Sequence, residues 1–325
     1  MLRSIPPIGT DGVGAWYSAL SAGKESVCLN LKAQAHREAM YALLEQADVL
    51  VESFRPGVLA RIGLDPEQLR ARFPRLVICS ITGFGQSGPL RDEPGHDLGF
   101  QALAGLLSLG KHRDGVMDLP GLQVADVGGG ALTAALRIVA ALLERERTGS
   151  GCWLDVSMTE GTLAMVAPQF AAAATAGIDP VAGGDVLTGG AAQYQVYACA
   201  DGRAIAVAAL EPKFWSALEG AVGHPVSRSF DALSTLFKQE SAAHWAERLR
   251  GTCCEPVLTL SEVADHPAHV ARGSIAGRGE RARVAHPFEG GADTASRRVP
   301  GLGEHTDSVL REVGFDVTTL GQEES

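Results

Sequence analysis

No two of the six cysteines, Cys28, Cys79, Cys152, Cys199, Cys253 and Cys254, are spaced as a C-x-x-C pair. The adjacent Cys253 and Cys254 lack zinc-ligand spacing as well, so neither a zinc site nor a dithiol redox motif is expected. Several of the six sit in apolar, strand-like runs, where a thiol acts as a small buried hydrophobe. A reducing, cytoplasmic compartment is the expectation. The opening "MLRSIPPIGTDGVGAWY" has no apolar h-region, which argues against a signal peptide. No uninterrupted apolar run of about 18 residues occurs, which argues against a membrane partner. An excess of basic residues is missing too. The net charge is −10, which argues against general nucleic-acid binding and leaves room for a local basic patch around a small anion. Nucleotide-binding glycine motifs are also absent. "GTDGVG" and "GFGQSG" lack the strand-before, helix-after context, and the triple glycine 128–130 is not followed by Gly-Lys-Ser/Thr.

What is present is an ordinary globular chain. It has 325 residues, enough for one large domain or two, with 46% hydrophobic and 20% charged residues. Residues 33–47 carry helical periodicity and 48–54 read as a strand. "DPEQL" offers Asp65 as an N-cap, Pro66 at the first helical position and Gln68 three after the cap. "RLVICSIT" (75–82) is the apolar, β-branched run of a strand buried on both faces. Helix alternating with buried strand predicts an α/β fold with a parallel sheet. A helix is expected from His96 to about Leu109, and a long one from near Gly129 to the glycines at 149 and 151. "CWLDVSM" reads as another strand. Past residue 190 the pattern changes: "QYQVYACADGRAIAVAAL" reads as a hairpin turning at Asp201-Gly202. Helices follow from Pro212, Phe230 and Ala242. The expected organisation is a large α/β domain over 1–156, a linking helix and loop over 157–190 and a smaller α+β domain over 191–280. A return segment over 281–325 is expected to pack on the large domain.

Three residues are candidates for chemistry. His96, in "EPGHDLGFQALAG", sits where a glycine- and proline-rich loop becomes a helix, and free N–H groups at a helix start stabilise developing negative charge. A base beside such a site suits proton abstraction next to a carbonyl. Asp126, in "ADVGGG", reads equally well as a helix cap or as a carboxylate that the glycines leave open to a ligand or to another backbone. Glu211 occupies an N-cap position for which glutamate is not a preferred residue, which permits a functional reading. Asn30, Lys32, Arg55 and Arg61 lie near predicted strand ends, as surface residues or as the lining of an anionic pocket.

Taken together these stretches resemble a known family. "CLNLK", "ADVLVESFRPGVLARIGL", "SITGFGQSGP", "GHDLGFQALAG", "ADVGGG", "ALLERERTGSG", "YACADGRAIAVAALEPKFW" and "PGLGEHTDSVL" are similar to the family III CoA-transferase (CaiB/BaiF) superfamily, and within it to the α-methylacyl-CoA racemases. The resemblance implies a Rossmann-like large domain, a smaller domain, and two chains interlaced as a homodimer. It implies an acyl-CoA thioester as substrate and no separate cofactor. In transferases of the superfamily the aspartate matching Asp126 is a nucleophile. In racemases that aspartate and the histidine matching His96 exchange the α-proton, and the glutamate of "EPKF", Glu211, orients the histidine. The histidine tilts the expectation to a racemase of 2-methylacyl-CoA thioesters working through an enolate, with transferase as the alternative. By the same match Leu29, Asn30, Leu31 and Lys32, together with Gly95, Asp97, Leu98, Gly99 and Phe100, contact the thioester, and Arg61 approaches the nucleotide end. Asp97 is expected to contribute mainly its backbone N–H. Family members carry a further strand and helix before the region matched by "MLRSIPPIG". The expectations are therefore a sheet short of its first strand, or a shortened, catalytically silent CoA-binding chain.

Overall fold

The structure, a computed structural model, describes residues 2–110, 112–113, 116–277, 279, 282–285 and 298–321. Its contacts divide the chain into two compact units, residues 49–257 and residues 1–48 with 258–325.

The unit 49–257 is built on a parallel sheet of β1 (Val49–Glu52), β2 (Val77–Thr82) and β3 (Trp153–Ser157), in that order. Cys79 stands opposite Val51 on one side and Leu154 on the other. As the central strand, β2 buries Val77, Ile78, Cys79 and Ser80 in succession, so its sequence shows no polar alternation. The helix between β1 and β2, α1 (Pro66–Arg72), starts as the sequence predicts. The Asp65 carboxylate accepts the N–H groups of Glu67 and Gln68 at 3.0 and 3.2 Å. Replacing such a cap by alanine costs about 1 kcal/mol. The α/β expectation holds as a mixed fold: three parallel strands plus antiparallel sheets of three and two strands.

Two further elements matter for the site. Residues 96–109 do not form one helix. After α2 (Asp97–Leu103) the chain breaks at Gly105, whose φ of 77° is open to glycine, and a short turn Leu106–Leu109 follows. The long helix starts earlier than its periodicity suggests. A π-helix, Ala125–Leu132, runs directly into α3 (Thr133–Thr148), which ends at Gly149 with φ 77°. This rod, Ala125–Thr148, is the one helix among the described residues long and apolar enough to cross a membrane by length and composition. The sequence reading expects a long helix here and no membrane span, because Asp126, Thr133 and Arg137 interrupt the apolar run. One flank of the rod is in the core: Ala134 and Ile138 pack on Cys79, Ile81, Leu154 and Val156 of the sheet. The next helix, α4 (Met158–Met165), is capped by Ser157.

The antiparallel sheet orders β4 (Tyr194–Ala198), β5 (Ala204–Ala208) and β6 (Cys254–Pro256). The predicted hairpin turns at Gly202 (φ 76°), and Asp201 accepts the Arg203 N–H at 3.1 Å. On this sheet lie α5 (Pro212–Val222), α6 (Phe230–Phe237) and α7 (Ala242–Arg248), around a core of Ile205, Val207, Trp215, Leu218, Leu233, Phe237 and Trp245. Phe237 stacks on Tyr197 and meets Trp245 edge-on, with centroids 5.5 and 5.3 Å apart. Truncating either Phe237 or Trp245 to alanine costs about 3–5 kcal/mol.

In the other unit the two ends of the chain are joined. The Ser26 N–H donates to His305 Nδ1 at 3.1 Å, and the Cys28 N–H to Thr306 Oγ1 at 2.9 Å. The helices Gln34–Gln46 and Thr306–Glu312 belong here. Residues 286–297 of the return segment lie outside the described residues.

Candidate active site

The loop before α2 is shaped by one aromatic ring. Phe100 is 4% exposed and meets Phe84 edge-on, with centroids 5.1 Å apart. A Cβ on either Gly83 or Gly95 would collide with the Phe100 ring. The glycines of "GFGQSG" and "PGHD" therefore let two loop segments close over Phe100, and this fixes where His96 leaves the loop. His96 is the N-cap residue of α2, in extended backbone, with its imidazole exposed and making no capping bond.

Asp126 lies in the first turn of the π-helix, a geometry frequent at functional sites. The triple glycine behind it serves the close approach of another backbone. A Cβ on Gly161 of α4 would overlap the Gly129 carbonyl, and one on Gly129 would come within 2.5 Å of the Thr162 hydroxyl oxygen. At Gly129 and Gly161 the two helices touch backbone to backbone, and Asp126 is carried on the helix that makes this contact.

The residue linking the two candidates is Asp97. Its Oδ1 accepts the N–H groups of Ala125 and Asp126 at 2.8 and 3.0 Å, and its Oδ2 accepts Gln101 Nε2. The carboxylate of Asp97 is committed to the Asp126 segment, in addition to the backbone N–H that the sequence reading singles out. Burial lifts the Asp126 carboxyl above its ordinary value, the Asp97 charge lifts it further, and His96 pulls it down. His96 and Asp126, 30 residues apart in sequence, are thus within electrostatic reach of each other. Ala125 is fully buried, while the Asp126 side chain faces outward.

Glu211 is the N-cap of α5, exposed and without a capping bond. Among the described residues no hydrogen bond or ion pair joins it to His96. Leu29, Asn30, Leu31 and Lys32 lie in the other unit, ahead of the helix Gln34–Gln46. There the Asn30 side chain accepts the Lys32 N–H at 3.2 Å. Leu98 and Gly99 are exposed on α2.

A cavity of about 200 Å³ opens beside β1, lined by Arg55, Gly57, Asp65, Gln86, Arg91 and Trp153 among others. The backbone at Gly57 is left-handed (φ 78°). A Cβ there would stand 3.4 Å from an Arg61 guanidinium nitrogen and 3.6 Å from one of Arg91. Two acids of this wall are occupied. Asp65 caps α1, and Glu52 accepts the Phe54 N–H at 2.8 Å. Arg91 meets Asp92 at 3.5 Å in an exposed pair, a contact worth about 0–1 kcal/mol. Sequence reasoning singled out Arg55 and Arg61. It missed Arg91, whose loop is adjacent only in space, and Gln101, whose one signal is its place four residues after Asp97 on a helix. Among the described residues no group of three or more histidine, cysteine or acidic side chains is placed to hold a metal ion.

Comparison with known proteins shows the family. The profile of CoA-transferase family III matches residues 1–306. The human (Homo sapiens) alpha-methylacyl-CoA racemase is 34% identical, over 95% of this chain and 86% of its own. The acetyl-CoA:oxalate CoA-transferase of Acetobacter aceti is 31% identical, over 83% and 73%. Among solved structures, a CaiB/BaiF family protein from Brucella suis superposes with a TM-score of 0.82 at 26% identity, over 96% of this chain and 88% of that one. The chain belongs to CoA-transferase family III.

Proposed function

We propose that the protein is a racemase that interconverts the (2R) and (2S) forms of 2-methylacyl-CoA thioesters, with His96 and Asp126 as the two acid/base groups. The carrying observation is the pairing itself. An exposed imidazole at the head of α2 stands within electrostatic reach of a carboxyl whose proton affinity is raised. Inversion at C2 needs one group to take the α-proton and a second, on the opposite face, to return one. In one direction His96 removes the proton, the electron pair moves onto the thioester oxygen as an enolate, and protonated Asp126 delivers its proton to C2. The reverse direction exchanges the roles, and solvent resets both groups. The N–H at Asp97, at the start of α2, is read as the donor to the enolate oxygen. Arg55, Arg61 and Arg91 around Gly57 are read as holding the anionic end of CoA.

Glu211 is read as the partner of His96 within a homodimer, since no bond joins the two inside the single chain. The exposed Leu132, Leu136, Val139 and Leu143 support a second copy as partner: their spacing of four, three and four residues puts them on one helix face. Transferase relatives match as well, and they support the alternative in which the Asp126 carboxylate attacks the thioester carbonyl, the C–S bond breaks, CoA leaves as its thiolate and an acyl anhydride remains. The two readings separate on one preparation. A racemase turns a single C2 epimer into the mixture without any free acid present. A transferase needs an acceptor acid and leaves a hydroxylamine-trappable acyl group on Asp126. Absence of epimerisation together with trapping at Asp126 would overturn the racemase reading.

A further inference from the structure

Asp97 is placed as no ordinary first-turn acid is. Its carboxylate does not cap its own helix. It reaches across to the start of the π-helix, where Oδ1 receives two successive N–H groups, of Ala125 at 2.8 Å and of Asp126 itself at 3.0 Å. Its other oxygen is held from behind by Gln101 Nε2. Gln101 is 1% exposed, and its Oε1 is buried without a hydrogen-bond partner. A buried amide with one end idle costs stability. What the amide does provide is a fixed donor that sets the rotamer of Asp97.

We propose that the Asp97 carboxylate, locked by Gln101, is the positioning residue of Asp126: it pins the peptide that carries the acid and fixes which way the acid faces. The proposal rests on the assignment of Asp126 as a proton-transfer group.

The geometry also has an electrostatic consequence. An anion pinned to the Asp126 amide stands beside the Asp126 side chain and disfavours its ionised form, adding to burial and opposed by His96. The charged groups on the elements packed around this turn are Asp97 and His96 at the head of α2, Glu160 on α4, Arg137 and, farther along, Glu144, Arg145, Glu146 and Arg147 on α3, and Asp155 on β3. Those acting on Asp126 are Asp97 and His96. Asp97 therefore does two things at once. It holds the acid in place, and it keeps the acid's proton available nearer to neutral pH, where an acid that must both give and take a proton works best.

The two roles are separable. Asp97→Asn retains an oxygen for the Ala125 and Asp126 N–H groups and removes the charge. Its new amide finds an acceptor in the idle Gln101 Oε1 once the glutamine turns over. Asp97→Ala removes both anchor and charge. The experiment is a carbon-13 titration of the Asp126 carboxyl in ligand-free, carboxyl-labelled protein, its signal identified by its loss in Asp126→Asn. It runs beside the pH profile of C2 deuterium exchange in a 2-methylacyl-CoA. Asp97→Asn should move the Asp126 titration, and the matching limb of the exchange profile, to lower pH while keeping most of the rate. Asp97→Ala should lower kcat by about 10²-fold, as misplacing a reacting group by about 1 Å does, with a smaller change in KM.

Unchanged Asp126 titration in Asp97→Asn, with both variants exchanging at the wild-type rate, overturns the proposal. Should Asp97→Ala fail to fold, the titration of Asp97→Asn decides alone. Should wild type exchange nothing while the Asp126 titration still shifts in Asp97→Asn, the racemase reading falls and the clamp stands.

Discussion

At the scale of single residues the proposed chemistry turns on Asp126. Burial first and Asp97 second raise its carboxyl above the ordinary value, and His96 opposes them. An acid with a raised pKa binds its proton more tightly in the folded state than in the unfolded one. It favours folding below the ordinary carboxylate range, and that contribution is lost as the pH climbs through the folded pKa. At neutral pH the ionised group is therefore a cost to the fold. Asp126→Asn should raise Tm at pH 7, and the gain should shrink as the pH falls below the carboxylate range; thermal denaturation across pH checks both. His96→Ala should move the Asp126 titration up, since the group that lowers it is gone. It should also slow C2 exchange by about 10²–10⁴-fold, the usual contribution of a general acid or base. At this scale His96 and Asp126 were legible in the sequence, because a histidine after Pro-Gly and an aspartate before three glycines are local signals. The clamp was not. It joins residues 28 and 29 apart through a tertiary contact, and Asp97 looks in the sequence like an unremarkable first-turn acid.

At the scale of elements the proposed site depends on two helices that meet backbone to backbone at Gly129 and Gly161. The Gly161 backbone lies against the Gly129 carbonyl, so Gly161→Ala forces the π-helix and α4 apart. Overpacking of this kind costs about 1–3 kcal/mol or more. Denaturant unfolding should show that loss, and exchange activity should fall with it because Asp126 rides on the displaced turn. Gly99 on α2 is the control: a Cβ there meets nothing within 4 Å. Gly99→Ala should leave stability unchanged or raise it by up to about 1 kcal/mol. Glycine spacing alone left open whether the triple glycine served a ligand or a backbone, and the structure answers with Gly161. Elements with strong local signals were legible: the Asp65–Pro66 helix start, the apolar β2 and the Asp201-Gly202 hairpin. The break at Gly105 was not, because glycine is tolerated within a helix until its φ is known. The strand Cys254–Pro256 was not legible either; three residues that include a proline carry no period.

At the scale of the whole molecule the open question is the partner. Leu136 and Leu143 are 73% and 58% exposed on the same helix whose opposite flank packs against the parallel sheet. Burying such side chains is worth about 1.5–3 kcal/mol each. The wild-type protein should sediment as a dimer. Leu136→Glu combined with Leu143→Glu should sediment as a monomer, with exchange activity reduced because Glu211 no longer reaches His96. A double variant that stays dimeric would move the interface elsewhere. The bonds from Ser26 and Cys28 to His305 and Thr306 tie together segments far apart in the chain. Contacts between segments about 280 residues apart leave no pattern in either one.

The central claim is that His96 and Asp126 exchange the α-proton of a thioester. The most direct measurement is deuterium incorporation at C2 of a single epimer of a 2-methylacyl-CoA in heavy water, for wild type, His96→Ala and Asp126→Asn. The account predicts epimerisation accompanied by deuterium in wild type, and near-complete loss of epimerisation in each variant. Wild-type protein that incorporates no deuterium, or a His96→Ala variant that epimerises as fast as wild type, would contradict it.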